Sequence, residues 1–207
     1  MIKVIDNLVP KSFQNDIETL INDGDFAWYF YDSVTYNLKE ITNKNITSTS
    51  ALIHTVFDNF SPNSVGINSP YYSFFKSILY FLDDKENINL KNILRIRIRR
   101  TLPKQGHNLK KYNAPHVDLV ECSNYKSLVY YVEDSDGDTI FFNETKQKDT
   151  ISSYLNKVTE RQRITPKKGT GIYFNGDIFH SGNNPVNYDK RTVINFDFET
   201  YDSNTKN

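Results

Sequence analysis

After Asn92 the chain alternates with a period of two: Leu94, Ile96 and Ile98 interleave with Arg95, Arg97 and Arg99. Only an extended backbone turns such a pattern into one apolar and one polar face, because successive strand side chains point to opposite sides. Further strand-like runs cover Ser127 to Val132, Thr139 to Phe142, Gly171 to Phe174 and Arg191 to Phe198. Asp136-Gly137 and Asn175-Gly176 read as tight turns, and Lys168-Gly169 as another break. The first half is mixed. Phe13, Ile17, Leu20 and Ile21 have helical spacing over Lys11 to Asp23, with Gly24 as a stop. Ser69 as N-cap and Pro70 at the first helical position open a second helix carrying Phe74, Phe75, Ile78 and Leu82. Phe26 to Val34 reads as a strand and Asn37 to Thr49 as polar loop. The expected class is α+β: a double-stranded β-helix of jelly-roll type with helices packed on one side. One domain is expected over 1–207, with 1–91 supporting a core over 92–200.

Composition narrows the role. Lys+Arg 25 balance Asp+Glu 25, so a general polyanion binder is disfavoured and nucleic acid is not the expected partner. The single cysteine, Cys122, cannot form an internal disulfide, which suits a reducing cytoplasm. Charge appears too early in Met1 to Asp6 for a signal peptide, and no apolar run reaches the ~20 residues of a membrane span.

Two of the four histidines have informative neighbours. In Pro115-His116-Val117-Asp118, an extended backbone would aim His116 and Asp118 to one side and Val117 to the other. His180, in Phe179-His180-Ser181-Gly182, would come from a distant strand. Two imidazoles and one carboxylate on one side of an ion form a facial triad, which suits iron(II) and leaves positions open for other ligands. Arg191 opens the next strand, with Val193 and Asn195 on its face. A buried guanidinium needs an anion, and its fork matches a carboxylate. 2-Oxoglutarate offers one such carboxylate at one end and a metal-chelating keto acid at the other. The charges of iron(II), Asp118, 2-oxoglutarate and Arg191 then balance.

These residues, in this order, resemble the 2-oxoglutarate/iron(II) dioxygenases of the prolyl-hydroxylase-like group. The likeness runs from about Asn92 to Phe198. It rests on His116-Val117-Asp118, Ser127 to Val132, Asp136 to Phe142, Pro166 to Gly169, Phe174-Asn175-Gly176 with His180-Ser181-Gly182, and Arg191. The resemblance implies His116, Asp118 and His180 as iron ligands and Arg191 at the distal carboxylate of 2-oxoglutarate. It places Tyr131 near that carboxylate, with Ser127 sharing its inward face. Asn195 faces the same cavity. It further implies 2-oxoglutarate and dioxygen as cosubstrates, succinate and carbon dioxide as products, ascorbate as a reductant, and hydroxylation of a C–H bond in a peptide, protein or small molecule, a prolyl side chain among them. The family often has Gly-Gly where this chain has Gly137-Asp138.

The remaining features have plainer readings. Arg95, Arg97, Arg99 and Arg100 would line a cavity mouth or solvent, or form a rim that attracts an acidic substrate. Asp134 to Asp138 reads as a hairpin turn rather than a calcium loop, since its glycine and terminal acid are misplaced. Trp28 to Tyr31 reads as a packed strand rather than a substrate platform. Two other functions stand beside the oxygenase: a metal-binding jelly-roll module without turnover, and a nucleic-acid demethylase. The latter relatives carry a second arginine where this chain has Asp197.

Overall fold

A computed structural model describes residues 1–33, 43–59, 65–146 and 158–201. Among them lie thirteen strands and two helices. In chain order they are β1 (Ile2–Ile5), α1 (Lys11–Asn22), β2 (Tyr29–Tyr31), β3 (Ile46–Thr47), β4 (Ala51–Asp58), β5 (Gly66–Ile67), α2 (Tyr72–Glu86) and β6 (Leu90–Thr101). There follow β7 (Tyr112–Asn113), β8 (Lys126–Tyr131), β9 (Thr139–Thr145), β10 (Glu160–Ile164), β11 (Gly171–Asn175), β12 (Ile178–Gly182) and β13 (Arg191–Thr200). The large sheet runs β1-β11-β8-β13-β6-β4-β2, with β5 beside β4; β10-β9-β12 form a second sheet, and β3 pairs with β7.

Helix α1 follows its sequence signal: Ile17 and Ile21 are fully buried, and the chain turns extended at Asp23. Helix α2 starts at Tyr72, later than Pro70 suggests. Ser69 Oγ does accept a backbone N–H, but that of Tyr71 (3.2 Å), so its cap closes a turn that precedes the helix. The helix ends at Asn87, whose φ of 52° lies in the left-handed region that asparagine tolerates.

The alternation in β6 separates two cores. Ile96 and Ile98 join Tyr130, Ile194 and Phe196 under Ile17, Phe75 and Ile78 of the helices. The other face of the large sheet meets the second sheet, where Val129, Tyr131, Phe174 and Val193 pack on Phe141 and Ile178. Two sheets enclosing an interior, with both helices outside, form the double-stranded β-helix. Because the helices are held by apolar contact, Phe75→Ala should destabilise the chain by about 3–5 kcal/mol, read from urea unfolding. A loss below about 1 kcal/mol would show that α2 does not seal this core.

Some local readings change. The expected hairpin at Asp134 to Asp138 is a crossing between sheets: β8 pairs with β11 and β13, β9 with β10 and β12. A jelly roll sends successive strands to opposite sheets, so a turn signal there marks a corner. Among the described residues of the Phe26–Val34 run only Tyr29–Tyr31 forms a strand, at the sheet edge with all three rings exposed, while Trp28 packs against the core. Residues 34–42, with the first part of the expected polar loop, lie outside the described residues; in the rest of that loop Ile46–Thr47 forms β3, paired with β7. Strands β1, β4, β10 and β12 carried no clear period in the sequence. No helix among the described residues is long and apolar enough to cross a membrane.

Candidate metal centre

His116 and His180 meet through their backbones. Each N–H donates to the other's carbonyl at 2.9 Å, an isolated antiparallel bridge that sets the two rings 4.7 Å apart. Asp118 lies in a bend beyond that bridge, not in the continuous strand expected from its spacing. Val117 still turns away, buried with Ala114, Phe142 and Phe179. Asp118 Oδ2 comes to 3.3 Å from His180 Nε2, and Oδ1 to 4.0 Å from His116 Nε2. One ligand atom from each of the three residues lies within 4.8 Å of the other two.

The rings are aimed from behind. His116 Nδ1 donates to Ala114 O (3.0 Å) and His180 Nδ1 to Ile178 O (3.2 Å), which leaves each Nε2 lone pair facing the common point. His180 Nε2 and Asp118 Oδ2 are buried, face each other at 3.3 Å and have no other hydrogen-bond partner. Such orphans demand a reason, and a cation held between them supplies one. Burial would raise the Asp118 carboxyl, but the His180 ring and Arg95 outweigh it and hold it far below the usual carboxylate range. Burial, with the neighbouring His180, lowers His116 to about 4. Burial would lower His180 too, but Asp118 raises it overall. Two imidazole nitrogens and one carboxylate, without thiolate, fit iron(II) bound on one face.

A second layer holds Asp118. Arg95 Nη2 reaches Asp118 O (3.1 Å) and Oδ1 (3.3 Å), and its Nε donates to Asp197 Oδ2 (3.1 Å). Ser127 Oγ donates to Asp197 Oδ1 (2.8 Å), so this inward-facing hydroxyl is engaged by a carboxylate of the chain. Asp197 is pushed up to about 7 by burial and by Asp118, against the pull of Arg95. Arg97 pairs with Asp58 at 2.8 Å. Arg95, Arg97 and Arg99 line one cavity of about 420 Å³ with Tyr31, His116, Asp118 and Asn195. Arg100 lies on the opposite face, bonded to Thr192 and Asn22 and stacked 4.6 Å from Trp28.

Arg191 is buried, at 4% exposure, behind this cavity rather than on its wall. Its Nε donates to Gly137 O (2.5 Å) and Nη2 to Thr139 Oγ1 (2.8 Å). Tyr131 Oη donates to the same Thr139 Oγ1 (2.7 Å), and the guanidinium lies 5.9 Å from the Tyr131 ring centre. Burial lowers Arg191 and raises Tyr131 to about 12, so the pair stays cation and neutral phenol. A Cβ on Gly137 would stand 2.6 Å from Asn183 O and 2.8 Å from Arg191 Cδ. A side chain here would therefore force the crossing to shift. Asp138 turns outward to accept from Thr165 Oγ1 (2.8 Å).

No protein-family model matches the sequence, and no curated protein matches it. Solved structures do. An oxidoreductase of the 2OG-Fe(II) oxygenase family from Burkholderia pseudomallei aligns at TM-score 0.66 and 13% identity, covering 97% of this chain and 86% of that one. The chain has the fold of the 2OG-Fe(II) oxygenases. A Pseudomonas putida prolyl-4-hydroxylase aligns at TM-score 0.55 and 10% identity over 97% of this chain and 92% of that one. HygX from Streptomyces hygroscopicus, with nickel, 2-oxoglutarate and hygromycin B bound, aligns at 0.54 and 12% over 96% and 82%.

Within this oxygenase fold the structure brings His116, Asp118 and His180 together and sets Asn195 on their cavity. It gathers Tyr131 and Arg191 around Thr139, and places Ser127 on Asp197. Sequence reasoning set Arg95 at a cavity mouth but missed its hold on Asp118, and it missed the parts played by Asp197, Thr139 and Gly137. One signal was available. If Ile96 and Ile98 face the helices, the arginines between them must face the interior, and Asp197 stays in phase with Arg191, Val193 and Asn195.

Proposed function

We propose that the chain is a non-haem iron(II) oxygenase that couples oxidative decarboxylation of 2-oxoglutarate to hydroxylation of a C–H bond. The observation that carries this is the pair of orphaned atoms, His180 Nε2 and Asp118 Oδ2, converging with His116 Nε2 inside the fold of the 2OG-Fe(II) oxygenases. Iron(II), 2-oxoglutarate and dioxygen supply the oxidising chemistry when bound, with ascorbate as an auxiliary reductant. His116, Asp118 and His180 hold the metal. Arg95 fixes Asp118 so that the carboxylate enters the site already oriented. Arg191, with Thr139 and Tyr131, takes the distal carboxylate of 2-oxoglutarate in a water-poor pocket where a charge-assisted pair is strong. Asn195 and Tyr31 face the substrate.

The substrate is a peptide, a protein or a small molecule. The likeness to a prolyl-4-hydroxylase supports the first two, and that to HygX, with hygromycin B bound, the third. Anaerobic addition of iron(II) and 2-oxoglutarate should produce a weak visible metal-to-ligand charge-transfer band that neither produces alone. Folded protein that binds iron but shows no band would refute the cosubstrate assignment.

A further inference from the structure

We propose that Arg99 receives a carboxylate carried by the substrate, so that this site selects acids over their neutral analogues. The inference rests on the oxygenase reading above and extends it to the substrate class. Charges on the interior face of the large sheet are matched almost one for one. Arg95 lies between Asp118 and Asp197, and Arg97 pairs with Asp58. In the proposed function the metal is matched by Asp118 and one 2-oxoglutarate carboxylate, and Arg191 by the other. Arg99 remains.

The acid that acts on it, Asp118, is already engaged by Arg95. In the sheet Arg99 is flanked by Ile53 on β4 and Val193 on β13, both apolar. Among the described residues no side chain or carbonyl accepts from its guanidinium, and its Nε is buried without a partner. Burial first, then the like charge of Arg191, lower it to about 10 against the pull of Asp118, so it remains a cation at neutral pH. A part-buried cation on a cavity wall, with no acid of its own, is costly, and a bound anion relieves that cost.

The same cavity carries two of the three proposed metal ligands. Its roughly 420 Å³ suits a small molecule or one side chain, and it is lined by His116, Asp118 and Asn195 as well as Arg99. Asn195 Oδ1 is also buried without a partner. A carboxylate with a neighbouring N–H or O–H would satisfy both groups while its carbon skeleton lies beside the metal. One unmatched guanidinium calls for one negative charge, which favours a carboxylate over a phosphate.

The test uses protein loaded with zinc(II) in place of iron and saturated with 2-oxoglutarate. ¹⁹F NMR would follow binding of trifluoroacetate and of its neutral analogue trifluoroacetamide. Trifluoroacetate should bind about tenfold or more tightly than the amide, the scale of a charge-assisted hydrogen bond. Arg99→Gln should abolish that preference and Arg99→Lys should keep part of it, with 2-oxoglutarate affinity within about twofold of wild type in both. Equal binding of the two probes to the wild type would overturn the proposal without any variant. So would a preference unchanged in Arg99→Gln. If Arg99→Gln instead weakened 2-oxoglutarate about tenfold or more, the guanidinium would serve the cosubstrate's own carboxylate and the substrate assignment would fall. A wild type that binds no 2-oxoglutarate would sink the oxygenase reading separately. The probe pair on zinc-loaded protein alone would still report whether Arg99 holds an anion.

Discussion

His180→Ala is expected to abolish iron(II) binding, with a loss of affinity beyond about 100-fold, the upper end of what losing an outer hydrogen-bond partner costs at a metal site. The ring supplies one of three donor atoms that lie within 4.8 Å of one another, and its Nε2 has no other partner. The fold should survive. The bridge between His116 and His180 is made by backbone atoms, and Asp118 keeps its contact with Arg95. Anaerobic equilibrium dialysis with iron(II), alongside circular dichroism, separates lost metal from lost structure. His54→Ala is the matched control, since that imidazole is spent on Ala27 O and Ser69 Oγ. It should leave iron binding intact. Wild-type iron uptake by a folded His180→Ala protein would place the metal elsewhere.

Arg191→Ala should weaken 2-oxoglutarate by about 30-fold to several thousand-fold, the 2–5 kcal/mol lost when one partner of a buried charge pair is truncated. Iron affinity without cosubstrate should hold, because Arg191 makes no contact with the three ligands. Gly137→Ala tests the same pocket without removing charge. Its Cβ would press on Asn183 O and on Arg191 Cδ, so the crossing must shift and the Gly137 O contact to Arg191 Nε must loosen. A smaller rise in the 2-oxoglutarate requirement is expected, again with iron binding unchanged. Both variants can be read from the charge-transfer band as 2-oxoglutarate is titrated. An unchanged requirement in Arg191→Ala would move the distal carboxylate to another guanidinium, with Arg99 the nearest in character.

What the chain carries in its own order of residues is local. The period of two over β6 and β13 follows from the pleat of an extended backbone, and the helical spacing of Phe13, Ile17 and Ile21 from the pitch of a helix; both are legible without a fold. The triad was legible because its donor types are few and Pro115-His116-Val117-Asp118 is compact. The partners of the interior arginines were not. Arg95 meets Asp197 because β6 and β13 pair in that register, and Asp118 because a bend folds back onto the sheet. Whether a charged strand face meets water, a carboxylate or an empty cavity depends on which strand lies beside it and which sheet lies opposite. Those neighbours come from distant parts of the chain, so only the tertiary structure could decide that Arg95 and Arg97 are matched and Arg99 is not.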